Sequence, residues 1–336
     1  MNEYIVRRNE IHATTANTFA QCPRRYFYAY ELGWVPEVES RAFTVGKAWH
    51  RLLELSAQKV KDPLQQMLDE EQDTLTEEEA AVLIGMYSAF AELYQMPECR
   101  TEQPFRVKVP GTSWHLSGHI DGITPTGEVV EYKTTSDSVE PDSDYWARLG
   151  FNLQVLLYSM AINHDAHAAH YFVMRKPSIK PKQVPILDAD GKKVVLDKIT
   201  GKRVYNKNGT PRLTGGDGME VQMRIETADE YADRLYHDVL DRPDFYFAEK
   251  EVLISQGKMQ EALADVTSII REVQMFRRNA KKLQRRQDGW RRACSEMNCA
   301  HCPYRVLCLD TDYSTEDGVP DGFRLRNEKP KKEQDA

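Results

Sequence analysis

The sequence predicts an α/β fold: a small mixed sheet flanked by helices, with helical N-terminal and C-terminal extensions closed by a cysteine cluster. Three observations predict it. Helical periodicity fills most of the first hundred residues. Alternation with period two takes over in "PFRVKVP", "SWHLSGHIDGIT" and "GEVVEYKTTS", after which a helix crosses to a further strand, "AAHYFVMRK". Four of the six cysteines then crowd between Cys294 and Cys308. With 336 residues, 41% hydrophobic and 29% charged, the chain has enough apolar content for a core.

The elements follow in order. "ATTANTFAQCPRRYFYAYELG" predicts an aromatic-rich helix with Thr14 or Thr15 as N-cap and Gly33 as its stop. "FTVGKAWHRLLELSAQKV" is a second helix. "LTEEEAAVLIGMYSAFAELYQM" is a third, opened by a Thr76/Glu79 capping box and ended by Pro97. The three β-rich segments are separated by Gly and Pro turns, and "DYWARLGFNLQVLLYSMAIN" returns to helix. "DADGKK" and "KNGT" mark turns in a basic hairpin-like insert. Long helices resume at 226–285. The expected division is 1–100 helical, carrying Cys22 and His50; 101–175 the core; 176–222 the insert; 223–310 helical with the cysteines; and 311–336 a disordered tail.

Charge and hydropathy exclude some classes. Lys+Arg number 45 and Asp+Glu 52, a net charge of −7, so the protein is not coated in positive charge. Mean hydropathy is −0.62, and no apolar run approaches the roughly 18 residues of a membrane span. The N-terminus lacks a basic-then-apolar-then-small pattern, so no secretory signal is expected. No G-x-x-x-x-G-K-[ST] loop is present, which argues against an intrinsic ATPase.

The chemistry concentrates in "GHIDGI" and "VVEYKTTS". On a strand Glu131 and Lys133 share a face, and the short "TPTG" turn folds the Asp121 strand back beside them. Two carboxylates and an ammonium then converge. Such an oxygen-rich pair suits Mg²⁺ or Mn²⁺, which keep several waters and accept phosphate oxygens. The plain alternative is a surface hairpin with an E-x-K ion pair. "GKAWHRLLE" sets Gly46 and His50 four apart on one helical face, and "QVLLY" does the same for Gln154 and Tyr158. His50 is either a further ligand or a core histidine. Gln154 and Tyr158 either orient the lysine, a water or a phosphate, or form an ordinary helix face. "HDAHAAH" (His164, His167, His170) falls at a helix end, where histidine suits the dipole better than a metal.

The ordered set G-x-x-x-H, G-x-I-D, E-Y-K-T and Q-x-x-x-Y, over roughly residues 14–310, resembles the RecB-like branch of the PD-(D/E)XK nuclease superfamily. The resemblance implies a restriction-endonuclease-like core in which His50, Asp121, Glu131 and the carbonyl of Tyr132 bind the divalent metal. It implies that Lys133 serves the hydrolytic water, and that Gln154 and Tyr158 touch the site or the DNA. The residue before the Asp is Ile120 rather than Pro, as is common in that branch.

Cys299-x2-Cys302-x5-Cys308 is a tight ligand run. Spacing leaves the fourth ligand open between Cys294 and the remote Cys22, and permits zinc as well as an iron–sulfur centre. "TFAQCPRRYFYAY" followed far downstream by this run resembles the split cluster of AddB-like and CRISPR-adaptation nucleases. That resemblance implies a [4Fe–4S] cluster on Cys22, Cys299, Cys302 and Cys308. Closing a 277-residue loop this way would confine the unfolded chain by about 5 kcal/mol on the chain-entropy account. Cys99 is expected to be a plain thiol. Cluster thiolates fit a reducing cytoplasm.

Two segments are locally basic. Arg175–Arg212 holds eleven Lys/Arg against three Asp, and Arg271–Arg292 holds nine against Glu272 and Asp288. Either can track phosphates, the first as a flap over single-stranded DNA. The expected activity is a metal-dependent DNA exonuclease; the resemblance implies single-stranded ends, and recombination, repair or phage DNA processing as the setting. The alternatives are a CRISPR-adaptation-type nuclease working in a complex, and a DNA-binding subunit with a vestigial site. Recombination, phage or CRISPR proteins are the expected partners.

Overall fold

A computed structural model describes residues 9–38, 41–149, 152–162, 168–309 and 314–328. A two-residue strand, β1 (Glu10–Ile11), leads into α1 (Ala13–Gln21). The N-cap of α1 is His12, not Thr14 or Thr15. Thr15 lies in the first turn, and its hydroxyl accepts the His12 N–H at 2.9 Å. The single helix expected here is also broken at Cys22, which is extended (φ −161°, ψ 110°). Pro23 follows, and a residue before proline is driven out of the helical region. Pro23 then opens α2 (Pro23–Tyr26), which widens into a π-turn over Phe27–Glu31 before strand β2 (Trp34–Pro36).

Next come α3 (Arg41–Ala57) and α4 (Pro63–Glu70). Helix α4 is additional to the expected elements, although the Asp62 side chain caps it and Pro63 occupies its first turn. Helix α5 (Glu77–Leu93) carries the expected Thr76/Glu79 capping box. The meander is β3 (Arg100–Lys108), β4 (His115–Ile123) and β5 (Val129–Thr135). The helix expected after it is two helices, α6 (Asp144–Leu149) and α7 (Leu153–Ile162), and the Asn152 carboxamide accepts the Gln154 N–H at 3.0 Å. Strand β6 (Ala168–Arg175) returns to the sheet.

The insert carries four short strands: β7 (Gln183–Pro185), β8 (Val195–Asp197), β9 (Met219–Val221) and β10 (Met223–Ile225). They pair as β7–β10 and β8–β9, so the insert closes at Ile225 rather than at 222. Helices α8 (Ala228–Asp241) and α9 (Pro243–Tyr246) precede a strand that the sequence pattern does not announce, β11 (Phe247–Leu253). Its exposed faces carry Glu249 and Glu251, which hide it among the helices. Helix α10 (Gln256–Ala280), α11 (Glu296–Ala300), α12 (Arg305–Leu309) and β12 (Phe323–Leu325) follow.

The main sheet runs β1-β4-β5-β6-β11, with β3 on the other edge of β4. The β1–β4 and β5–β6 pairs are parallel; the β3–β4, β4–β5 and β6–β11 pairs are antiparallel. Apolar side chains cover both faces. Val130, Tyr132, Phe172 and Met174 pack with α3, α5 and α8, while Ile120, Val129, Tyr171 and Val173 pack with α7 and the start of α10. Each fully buried aliphatic side chain contributes about 1.5–3 kcal/mol.

A third core joins the two ends of the chain. Buried Trp290 stacks on Phe27 and Phe276, and the Tyr304 hydroxyl donates to the Trp34 carbonyl at 2.6 Å. Strand β12 pairs antiparallel with β2, and Phe323 is buried. The expectation of disorder for 311–336 therefore fails over 314–328, because this strand has a partner the sequence pattern does not reveal; 310–313 and 329–336 lie outside the described residues. Arg277 locks the same core, holding Glu31 with two nitrogens and stacking over Trp114. At Gly289 a Cβ would lie 2.5 Å from the Ala280 Cα, so two backbones touch there. Among the described residues no helix is long and apolar enough to cross a membrane.

Candidate active site

Strands β4 and β5 pair only at Gly122↔Val130 and Ile123↔Val129. Beyond those pairs the two strands part, and the sheet forks. Asp121 lies at the crotch of the fork, where its Oδ2 accepts the Tyr132 N–H at 2.9 Å. A side chain thus takes the place of the ladder bond that the fork removes. Glu131 and Lys133 line the β5 arm. Lys133 Nζ donates to Glu131 Oε1 and, at 3.1 Å, to Gln154 Oε1. Gln154 in turn donates from Nε2 to the Tyr158 hydroxyl at 3.2 Å, so α7 holds the lysine through a two-residue chain.

Helix α3 closes the site from the other layer. His50 Nδ1 stands 3.6 Å from Asp121 Oδ2, and its ring meets Tyr132 edge-on. Gly46, one turn earlier, lets α3 lie against β5: a Cβ there would be 3.2 Å from Thr134 Oγ1. The fork brings together His50, Asp121, Glu131, Lys133, Gln154 and Tyr158, and Tyr132 lies between the two β5 residues. The Tyr132 side chain points into the core, with its hydroxyl 3.9 Å from Cys99 Sγ.

The charge balance is uneven. Burial, then the Asp121 carboxylate, pushes Glu131 up to about 7. Burial pushes Asp121 up to about 6, against the Tyr132 N–H and the Lys133 ammonium. Burial also lowers His50 to about 4, which leaves a neutral imidazole at neutral pH. Lys133 is opposed by burial, but Glu131 and Asp121 outweigh it and hold its pKa above the usual lysine value. Glu131 Oε2 is buried and has no hydrogen-bond partner among the described residues. An unpaired carboxylate oxygen beside a second carboxyl is what a hard cation would satisfy, and oxygen plus neutral imidazole is a donor set Mg²⁺ or Mn²⁺ accepts. Among the described residues, no three His, Cys, Asp or Glu side chains are closed into a metal-binding group.

Two further carboxylates act on Asp121. Glu102 and Glu54 both add to its raised pKa. Glu54 lies one helical turn beyond His50, a spacing legible in the sequence. Glu102 lies opposite Asp121 in the β3–β4 ladder, between the pairs Thr101↔Gly122 and Gln103↔Ile120, and adopts φ 46° there. Nothing in the sequence signals that φ.

The cysteines meet across the chain. The extended Cys22 accepts the Ala293 N–H on its sulfur at 3.5 Å, and Asn298 donates to the Gln21 carbonyl. Burial pushes the Cys302 and Cys308 thiols up, and each feels Cys22 electrostatically. Cys22, Cys299, Cys302 and Cys308 are half-buried, whereas Cys294 is exposed. These thiols are neighbours without forming a closed metal-binding group. His170 pairs with Glu128 at 3.1 Å and faces Glu251 across the β6–β11 ladder; His164 and His167 lie outside the described residues.

A family model described as the PD-(D/E)XK nuclease superfamily matches residues 11–309. No curated protein matches the chain. A solved structure, described as the crystal structure of SSO0001, aligns over 91% of this chain and 89% of that one at 13% identity, with a TM-score of 0.37.

Proposed function

The chain belongs to the PD-(D/E)XK nuclease superfamily, and from that premise we propose that it is a DNA exonuclease of the RecB-like branch, acting with Mg²⁺ or Mn²⁺ on single-stranded ends. One observation carries the reading: Glu131 keeps an unpartnered buried oxygen at the fork that also holds Asp121, His50 and Lys133. The cation would be held by Asp121, Glu131, His50 and the Tyr132 carbonyl. When bound, it would add positive charge beside the two carboxyls that Lys133 alone does not balance, and lower the pKa of water. Superfamily members generally use such divalent cations.

The chain's own groups divide the remaining work. Lys133, fixed by Glu131 and Gln154, is placed to orient the attacking water and to offset charge developing on the phosphoryl oxygens. Tyr158 fixes Gln154 and so fixes the lysine indirectly. The buried carboxyls of Asp121 and Glu131, whose pKa values are raised, would lose any proton they hold to solvent as a cation takes its place, so binding should release protons. The test is digestion of end-labelled single-stranded DNA with each metal. Ladders that shorten from one end and stop on chelation are expected. Intact DNA under every metal condition would overturn the proposal.

The same reading extends to the sulfurs. We propose that Cys22, Cys299, Cys302 and Cys308 hold a [4Fe–4S] cluster, with zinc as the rival occupant. The support is that the break before Pro23 turns Cys22 toward the C-terminal run, while Cys294 stays exposed. A cluster here would tie the chain ends rather than touch the phosphate. Anaerobically purified protein should be brown and contain iron and sulfide, and Cys22→Ser should lose the colour and melt at lower temperature. A colourless protein with one zinc per chain would remove the cluster from the account. Recombination, repair or phage DNA processing is the proposed setting, within a cytoplasm, and the proposed partners are proteins of those pathways.

A further inference from the structure

The insert between β6 and α8 is built rigidly at its root. Lys176 donates its N–H to the Thr135 carbonyl at 2.8 Å, two residues past Lys133, so the insert leaves the sheet at the end where the fork opens. Buried Glu226 closes the root. It accepts the Lys182 N–H at 3.0 Å and both Arg234 nitrogens at 2.9 and 2.7 Å. Arg234 also reaches the Lys180 carbonyl, the Tyr231 hydroxyl reaches the Ile179 carbonyl, and Lys180 pairs with Glu78 on α5. A ribbon anchored on α5 and α8 holds its tip in a set position relative to the site.

Beyond the root the charges are sorted unequally. Asp188 is consumed by the Lys192 and Asp190 N–H groups and by Arg203. Asp197 is consumed by the Ile199 and Thr200 N–H groups and the Thr200 hydroxyl. Those acids serve as turn caps. Lys192, Lys193, Lys198, Lys202 and Lys207 are exposed, and among the described residues their ammonium groups have no acidic partner. Lys192 and Arg212 also border an open groove of about 520 Å³, with the hydroxyl-bearing Thr210 and the amide of Asn206 beside them. Tyr205 is 54% exposed and Ile199 is 93% exposed on the same ribbon. Asp190, Asp217 and Glu220 are exposed on the ribbon as well, but the five uncommitted lysines outnumber them, which suits the surface to a polyanion. An exposed ring among those lysines suits bases that are unstacked from a partner strand.

We infer that residues 183–225 form a single-stranded nucleic-acid-binding arm, which holds the phosphate backbone leading into the fork and contributes affinity rather than chemistry. This rests on the nuclease reading only for what happens to the strand afterwards; binding by the arm needs neither metal nor Lys133.

The experiment is fluorescence anisotropy of a labelled oligodeoxythymidylate in chelator, with wild type and K192Q/K193Q/K198Q/K202Q/K207Q. The five glutamines sit on exposed positions, and the melting temperature serves as the check on folding. The quintuple variant is expected to bind about 10- to 100-fold more weakly. Its log Kd against log salt should flatten by up to about 3.5, at about 0.7 for each phosphate it no longer neutralises. Each single replacement should take part of that loss. Its kcat on a short oligonucleotide at saturation should match wild type. Unchanged affinity and salt slope would overturn the arm, and an equal loss on blunt duplex would overturn its assignment to an unpaired strand. Wild type that binds in chelator yet never cleaves with any metal would instead overturn the nuclease reading and leave the arm standing.

Discussion

Replacing Lys133 with alanine is expected to slow cleavage of single-stranded DNA by about 10²–10³-fold, the usual cost of deleting one donor aimed at developing charge. Strand binding in chelator should change little, because Lys133 is mostly buried and turned toward Glu131 and Gln154 rather than toward the surface. A second effect compounds the first. The ammonium lowers the Glu131 pKa, so its loss lets that fully buried carboxyl rise further and hold its proton more firmly. The variant should therefore also need more metal to reach its residual rate. Arginine should not restore activity, since a planar guanidinium does not replace a compact ammonium held by two oxygens. Single-turnover rates with enzyme in excess, across a metal titration, separate the two effects. A variant that cleaves at the wild-type rate would remove Lys133 from the chemistry.

Gly289→Ala is expected to destabilise the protein by about 1–3 kcal/mol, the range for overpacking a filled interior. The added methyl would meet the Ala280 Cα at 2.5 Å and its nitrogen at 2.6 Å. Those atoms belong to the backbone ending α10, so no rotamer change can relieve the clash. The next residue, Trp290, fills the aromatic core with Phe27 and Phe276, and Arg24 bonds its carbonyl at 2.8 Å. A shift there would loosen the segment that carries Cys299, Cys302 and Cys308. Denaturant titration checks the magnitude. Loss of stability with intact strand binding would place the effect in this end-to-end core, while unaltered stability would show that the backbones can move apart.

The site is more legible in the sequence than the frame around it, for reasons that particular residues show. Glu131 and Lys133 obey the two-residue repeat of a strand, and His50, Gln154 and Tyr158 sit at helical spacing from glycine or from each other. Those are local rules. The meeting of His50 with Asp121 across the fork depends on two strands parting after two residue pairs, which no local pattern encodes. Strand β11 is hidden because charges fill its exposed face and only Phe247 is buried along its length. Strand β12 is hidden because its partner is β2, nearly three hundred residues earlier. The helix break at Cys22 is readable from Pro23, yet the aromatic run on both sides masks it. The positive φ at Glu102, opposite Asp121 in a continuous β3–β4 register, leaves no trace in composition.

The pairing of β2 with β12 sets a timetable for the growing polypeptide. Trp34 and Tyr28 share their core with Tyr304 and Phe323. Translation at about 5–20 residues per second would separate the emergence of those two groups by roughly 15 to 60 s. Throughout that interval the N-terminal aromatics lack the C-terminal half of the surface they pack against. A ribosome-bound intermediate should therefore expose them, and a holding chaperone would find its grip on "RRYFYAYELGW" until synthesis passes residue 325.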